Sequence, residues 1–271
     1  MSDWLFAHEP AIRGALAGTI FVLVATSEAL FPKRPRAIGR KRRWPANLGI
    51  AAINSGLVRL LFPAAAVGIA LAVEARGWGF LNRVDLPDWL SVAVAIAILD
   101  LALYVQHVVF HRVPVLWRLH RMHHADLELD ATTGLRFHPI EVLLSVVIKG
   151  GVITGSGASP LAVLIFEALL NATSVFNHAN LALPSTVDRL LRLLVVTPDM
   201  HRVHHSIRRE ETDSNFGFNV PWWDRLFATY RAQPSDGHAG MTIGIPQFRD
   251  PAELRLDRML MQPLRSAEST P

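Results

Sequence analysis

Between Ala11 and Ala179 the sequence carries four or five apolar stretches, each close to the roughly 20 helical residues that cross a hydrocarbon core of about 30 Å. With 51% hydrophobic and only 18% charged residues, the 271-residue chain has more apolar surface than a water-soluble domain can bury. The first stretch, Ala11 to Phe31, has only Arg13 ahead of it and its positive charges behind. That is the reverse of a cleavable signal, so it is expected to remain as a membrane helix. The second, about Leu48 to Val73, is interrupted by Asn54, Arg59 and Pro63 and is expected to kink and pack against protein. The third, Trp89 to Phe110, carries one charge, Asp100. Two shorter stretches, Ile140 to Ala158 and Pro160 to Ala179, flank the turn Gly155-Ser156-Gly157-Ala158-Ser159 and read as a helical hairpin that dips into the bilayer or crosses it twice.

The net charge of +4 does not point to nucleic acid, which needs a basic face on a soluble domain. The densest basic run, Lys33, Arg34, Arg36, Arg40, Lys41, Arg42 and Arg43, directly follows the first apolar stretch. It reads as a cytoplasmic flank and a topology marker without catalytic meaning. The amino terminus is then outside, and the crossings that follow bring every histidine cluster to the cytoplasmic face of an inner or plasma membrane. From about Leu181 onward the chain is polar, and a disordered tail is expected after Met261.

The chain has no cysteine, which removes disulfides, thiolate zinc sites and iron–sulfur clusters together. Any metal must be held by nitrogen or oxygen. Ten of the 12 histidines lie between His107 and His205. They form His107-x-x-x-His111, His120-x-x-His123-His124 and His201-x-x-His204-His205, and on a helix residues at i, i+3 and i+4 share one face. Eight neutral imidazoles so placed can hold two borderline divalent metals. Asp100, Tyr104, His107 and His111 form one polar stripe, so Asp100 is a candidate acceptor that fixes a ligating imidazole, and Tyr104 does the same or faces the pocket. Asp100 pairing with Arg59 is the structural alternative. A pH sensor is a weaker explanation of the cluster, because like groups this dense repel when protonated. His8 and His238 read as surface residues, and Trp117, Trp222, Trp223 and Phe227 as core or interfacial belt.

The segments Asp100-x-x-x-Tyr104-x-x-His107-x-x-x-His111 and Leu116-Trp117-x-x-His120-x-x-His123-His124 resemble the fatty acid hydroxylase and sterol desaturase superfamily. So do Asp130-x-Thr132-Thr133-x-x-Arg136-Phe137-His138-Pro139-x-Glu141, Asn177-His178-Ala179-Asn180 and Thr197-Pro198-x-x-His201-Arg202-Val203-His204-His205-Ser206. Glu211-Thr212-Asp213-x-Asn215-Phe216-Gly217 and Trp223-Asp224-Arg225-Leu226-Phe227 complete the match. The resemblance implies an all-α integral membrane fold of four or five membrane helices capped by a cytoplasmic histidine-rich site. It divides the chain into membrane helices over 1–98, a hydroxylase-like catalytic domain over 99–230 and a tail over 231–271.

It also implies two non-haem irons and O₂ as co-substrate, with His107, His111, His120, His123, His124, His201, His204 and His205 as catalytic ligands and His138 and His178 as further metal ligands. The substrate is then a bilayer lipid, sterol-like, carotenoid, fatty acyl or alkyl, that is hydroxylated or desaturated. Electrons are expected from a separate ferredoxin- or cytochrome b5-like protein, since no such segment is fused here. The rival classes fit less well. A metal transporter wants polar residues midway through several helices, and only Asp100, Lys149 and Glu167 lie deep. A zinc protease of the H-E-x-x-H type needs a Glu beside its first ligand, which no cluster has.

Overall fold

A computed structural model describes residues 8–265. Its helices are α1 (Glu9–Leu30), α2 (Arg40–Leu61), α3 (Ala65–Ala75), α4 (Asp88–Arg112), α5 (Pro114–His124), α6 (Pro139–Ser156), α7 (Pro160–Asn177), α8 (Ser185–Leu191) and α9 (Pro198–His204). The short helices α10 (Arg209–Thr212), α11 (Trp222–Leu226), α12 (Gly237–Gly240) and α13 (Leu256–Met261) follow. No strand occurs among the described residues. Four of these helices open on proline, at 114, 139, 160 and 198, where the missing N–H costs nothing because the first turn has no partner for it. Ser159 and Thr197 cap the last two with their hydroxyls.

Five helical spans are long and apolar enough to cross a membrane: Ala11–Leu30, Arg40–Ala75, Asp88–Arg112, Pro139–Ser156 and Pro160–Asn177. The chain is an integral membrane protein. The kink expected in the second span is a break, because α2 stops at Leu61 and α3 restarts at Ala65, on either side of Pro63. Ala95 and Leu99 of α4, Ile153 of α6, Val163 and Phe166 of α7 and Ala70 of α3 share one apolar core.

The two ends of this bundle differ. At one end the α6–α7 turn meets the loop after α3, where Phe80 N–H donates to the Gly155 carbonyl at 3.1 Å. The approach is possible only without side chains, since a Cβ on Gly79 would stand 2.2 Å from Gly157 N. At the other end, the end of α4, the start of α6 and the end of α7 meet α5 and the loop 125–138 after it, α9 and the irregular chain beyond residue 205, which together form a cap.

The basic run, expected from the sequence only as a topology marker, makes buried contacts. Arg43 is fully buried on Asp126 and Asp130 of the cap, Lys33 pairs with Asp199 at 2.6 Å, and Arg36 and Arg40 pair with Glu28 of α1. The run therefore rivets the first two helices to the histidine-bearing end. The segment expected as a tail is also built in through Arg265. Arg118 Nε and Arg121 Nη2 of α5 donate to the carbonyls of Pro263 and Gln262 at 2.7 and 2.6 Å. The remainder of that tail, 266–271, lies outside the described residues.

Candidate metal centre

Nine of the ten clustered histidines meet at the bundle–cap junction in two groups: His107, His111, His120, His124 and His204, and beside it His123, His178, His201 and His205. Each side chain is at most 4% exposed. The i, i+4 pairs stay together as helix spacing requires, His120 with His124 and His201 with His205, whereas the i+3 members His123 and His204 join the opposite group. His107 and His111 lie one turn apart at the end of α4. On α5 and at the end of α9, the adjacent pairs His123-His124 and His204-His205 split between the groups.

Four of the rings are fixed by a main-chain carbonyl on their outward nitrogen. His107 Nδ1 donates to the Phe216 carbonyl at 2.7 Å, His204 Nδ1 to Ser214 at 2.7 Å, His178 Nδ1 to Ser174 at 2.6 Å and His123 Nδ1 to Arg136 at 3.2 Å. A carbonyl cannot donate, so in these four rings the proton sits on Nδ1 and Nε2 presents a lone pair. The Nε2 atoms nevertheless crowd together. His204 Nε2 lies 3.0 Å from His107 Nε2, and His178 Nε2 lies 3.1 Å from His123 Nε2. Lone pair facing lone pair at that distance is repulsive unless a cation lies between them.

Imidazolium is a poor solution in this place. Burial pushes His178 down to about 4 and His204 to about 3, and holds His123, His124, His201 and His205 well below the ordinary range. A metal ion fits. Two nitrogens at about 2.1 Å from one ion and at a right angle stand about 3.0 Å apart. The chain of contacts continues, with His107 Nε2 3.1 Å from His120 Nε2 and His120 Nε2 3.2 Å from His124 Nε2. In the second group His178 Nε2 stands 3.1 Å from His201 Nε2. Buried nitrogens without a partner among the described residues, His111 Nε2 and both nitrogens of His205, complete a donor set that suits imidazole-binding metals such as iron or zinc.

The tenth residue is elsewhere. His138 caps α6, its Nδ1 accepting from Ile140 N–H at 3.3 Å while Nε2 faces the Leu260 carbonyl, and it belongs to neither group. Asp100 touches no imidazole and does not pair with Arg59. It accepts from Asn219 Nδ2 and Trp223 Nε1, both at 2.7 Å. Tyr104 Oη bonds Thr229 Oγ1 at 2.8 Å, Thr229 donates to Asp224, and Asp224 holds the N–H groups of Phe216 and Gly217. Both residues thus act at one remove, bracing the loop whose Phe216 carbonyl orients His107. Of the aromatics, Trp117 packs on His111 with ring centroids 4.9 Å apart and Phe227 stacks on Tyr104, while Trp222 is exposed. His238 is not a free surface group, since it lies against Asp199 and Arg202.

Two carboxylates hold rings of the cluster, and the sequence motifs that contain them assign neither a role. Glu141 Oε1 accepts from His120 Nδ1 at 2.7 Å, and Asp213 Oδ1 faces His111 Nδ1 at 3.3 Å. The carbonyl acceptors carry no sequence signal. From His107 and His120 a cavity of about 310 Å³ runs between α2, α4, α6 and α7, walled mainly by apolar side chains such as Leu99, Leu103, Val152, Phe166 and Leu170.

The fatty acid hydroxylase family model matches residues 92–229, about half of the chain. Ornithine lipid hydroxylase OlsE of Rhizobium tropici is 30% identical over 159 residues, covering 58% of this chain and 47% of that protein. Alkylglycerol monooxygenase of Homo sapiens is 27% identical over 164 residues, 59% of this chain and 34% of that protein. Cholesterol 25-hydroxylase of Rattus norvegicus is 23% identical over 144 residues, 53% and 47%. The chain thus spans half or less of the length of these relatives, and no solved structure gives a significant match. Histidine spacing, the two converging imidazole groups and the family match agree: this chain belongs to the fatty acid hydroxylase family.

Proposed function

We propose that the protein is an O₂-dependent di-iron enzyme that hydroxylates a membrane lipid, with the nine converging histidines as metal ligands. The observation that carries this reading is the opening of an apolar, membrane-depth cavity directly onto His107 and His120. A lipid tail in that cavity would bring a C–H bond to the imidazole groups. Iron held there supplies the redox chemistry that activates O₂ against an aliphatic C–H bond, which zinc does not. The protein's own part is to bind two ions, fix six of the nine rings through Nδ1, and keep water from the reacting carbon. All three named relatives are hydroxylases or monooxygenases, which favours hydroxylation over desaturation.

The reading places the metal centre in the cytoplasm, because Lys33 to Arg43 pack on the same end of the bundle as the histidines and basic loops stay inside. Electrons come from a separate donor protein, and residues 99–230 carry the chemistry. Transport of metal is a poorer account, since the deep charges Lys149 and Glu167 pair with each other and Arg13 also pairs with Glu167.

Lipid mass spectrometry of cells carrying the active protein or a His204→Ala variant tests the reading. A lipid gaining one oxygen only with the active protein is expected, and identical lipid profiles contradict it. Because the chain lacks cysteine, single-cysteine variants test orientation cleanly. A cysteine at Asp257 is expected to resist membrane-impermeant thiol reagents in intact cells, while one at Asp85 reacts.

A further inference from the structure

The cavity that reaches the metal centre is walled on one side by a single face of α6, where Glu141, Ser145 and Lys149 follow at intervals of four. Two of these are already engaged. Ser145 Oγ donates to the Glu141 main-chain carbonyl and accepts from Gln106, both at 2.8 Å, and Lys149 pairs with Glu167. Among the described residues, two buried oxygens on the cavity wall have no partner, Glu141 Oε2 and Asn54 Oδ1. Glu141 is 5% exposed and Asn54 8%, so bulk water does not serve them.

The other polar atom of each side chain is used. Glu141 Oε1 accepts from His120 Nδ1, and Asn54 Nδ2 donates to the Phe137 carbonyl at 2.8 Å. That second bond also settles which terminal atom of Asn54 is the oxygen. Both side chains are therefore held in place with a bare acceptor, a costly arrangement in an apolar cavity and one that a bound donor relieves.

We infer that Asn54 Oδ1 and Glu141 Oε2 form a docking point for a hydrogen-bond donor of the lipid, a hydroxyl or an N–H, close to the carbon that is oxidised. Glu141 touches His120, so a donor seated on it lies at the metal end of the cavity. The apolar remainder of the lipid then lies toward Val152 and Phe166. The substrate class is a lipid attacked near its polar end, and a hydrocarbon without a donor fits poorly. This inference rests on the lipid-hydroxylase reading, and its test separates the two.

Binding and turnover of 1-O-hexadecylglycerol, cholesterol and N-palmitoylornithine are measured with the full iron-loaded chain in phospholipid nanodiscs. Each lipid is paired with its O- or N-methylated counterpart. A site built to bond a donor rejects the analogue lacking it strongly, so at least one pair is expected to differ by about 10-fold or more in Kd. Asn54→Leu is expected to bring the two members of that pair close to equal affinity. Glu141→Gln turns the bare acceptor into an amide donor while leaving a carbonyl for His120, and it is expected to do the same.

Equal binding of both members of every pair by the wild-type protein overturns the inference, as does discrimination that survives both substitutions. Should Asn54→Leu fail to fold, the wild-type pairs and Glu141→Gln still decide. Donor-dependent binding without oxygenated product would sink the hydroxylase reading and leave the docking point standing. Oxygenation of both members of every pair at equal efficiency would do the opposite.

Discussion

Arg43 and Asp126 meet in a two-bond pair, Nε to Oδ1 at 2.8 Å and Nη2 to Oδ2 at 2.7 Å, with both side chains sealed from solvent. Asp126 follows the second histidine cluster by two residues, and Arg43 lies in the first turn of α2. The pair is therefore a joint between the membrane bundle and the histidine-bearing cap. Removing the guanidinium strands Asp126 and Asp130 as buried charges, which costs about 3–5 kcal/mol. Arg43→Met is expected to lower the detergent-solubilised protein's Tm sharply, and Arg43→Lys to rescue little of it because one ammonium cannot replace the planar fork. A Tm unchanged in Arg43→Met would contradict the joint.

The same histidine burial that favours metal makes the metal-free protein acid-sensitive. In the folded chain His178 is pushed down to about 4 and His204 to about 3, while unfolded histidine titrates near 6.5. Below about pH 6.5 the unfolded chain binds more protons than the folded one, so stability falls with pH until the folded values are reached. Ligation needs neutral imidazoles, so metal affinity falls in the same direction. Chelator-stripped protein is expected to melt lower at pH 5 than at pH 7.5, and the loaded protein to release metal over that range. A flat Tm from pH 7.5 to 4.5 would speak against neutral, buried rings.

Glu141 is expected to matter for metal before it matters for lipid. Outer partners of ligand histidines typically contribute 10–100-fold in metal affinity. Glu141→Ala is expected to lose about that much in competition with a chromophoric chelator, whereas Glu141→Gln, which still offers a carbonyl to His120 Nδ1, retains most of it. Equal losses in both variants would mean that the carboxylate's charge, not its hydrogen bond, positions the ring.

Much of this was legible in the sequence because it rests on period and spacing. Runs of apolar residues gave the spans, and i, i+3, i+4 spacing brought His120, His123 and His124 to the metal side of α5, although His123 joins a different group from the other two. Pairing across the fold was not legible. Nothing local distinguishes Arg43 from Arg42, yet one is buried on two aspartates and the other is exposed. His138 carries the same local signal as His178, but Pro139 begins a helix there and turns His138 into its cap. The stripe Asp100-Tyr104-His107-His111 lies along one helix as its spacing requires. Its two upper members are drawn instead to the loop 216–229, a contact more than a hundred residues distant in sequence.

Gly134 shows how closely the cap sits on α7. A Cβ at this position would stand 2.2 Å from the Ser174 carbonyl, the same oxygen that receives His178 Nδ1. Gly134→Ala is expected to shift that carbonyl and release His178 from its orientation. Metal analysis should then show a preferential loss from the second histidine group, to nearer one ion per chain. Retention of both ions would show that α7 yields without disturbing the ring.

Labelled oxygen tests most directly whether the nine histidines form the metal centre of a lipid hydroxylase. Iron-loaded protein in nanodiscs of the host lipid extract, with a reductant and ¹⁸O₂, is predicted to yield a lipid carrying one ¹⁸O atom, and His204→Ala to yield none. Product labelled only from H₂¹⁸O, or equal ¹⁸O incorporation by the His204→Ala variant, would contradict it.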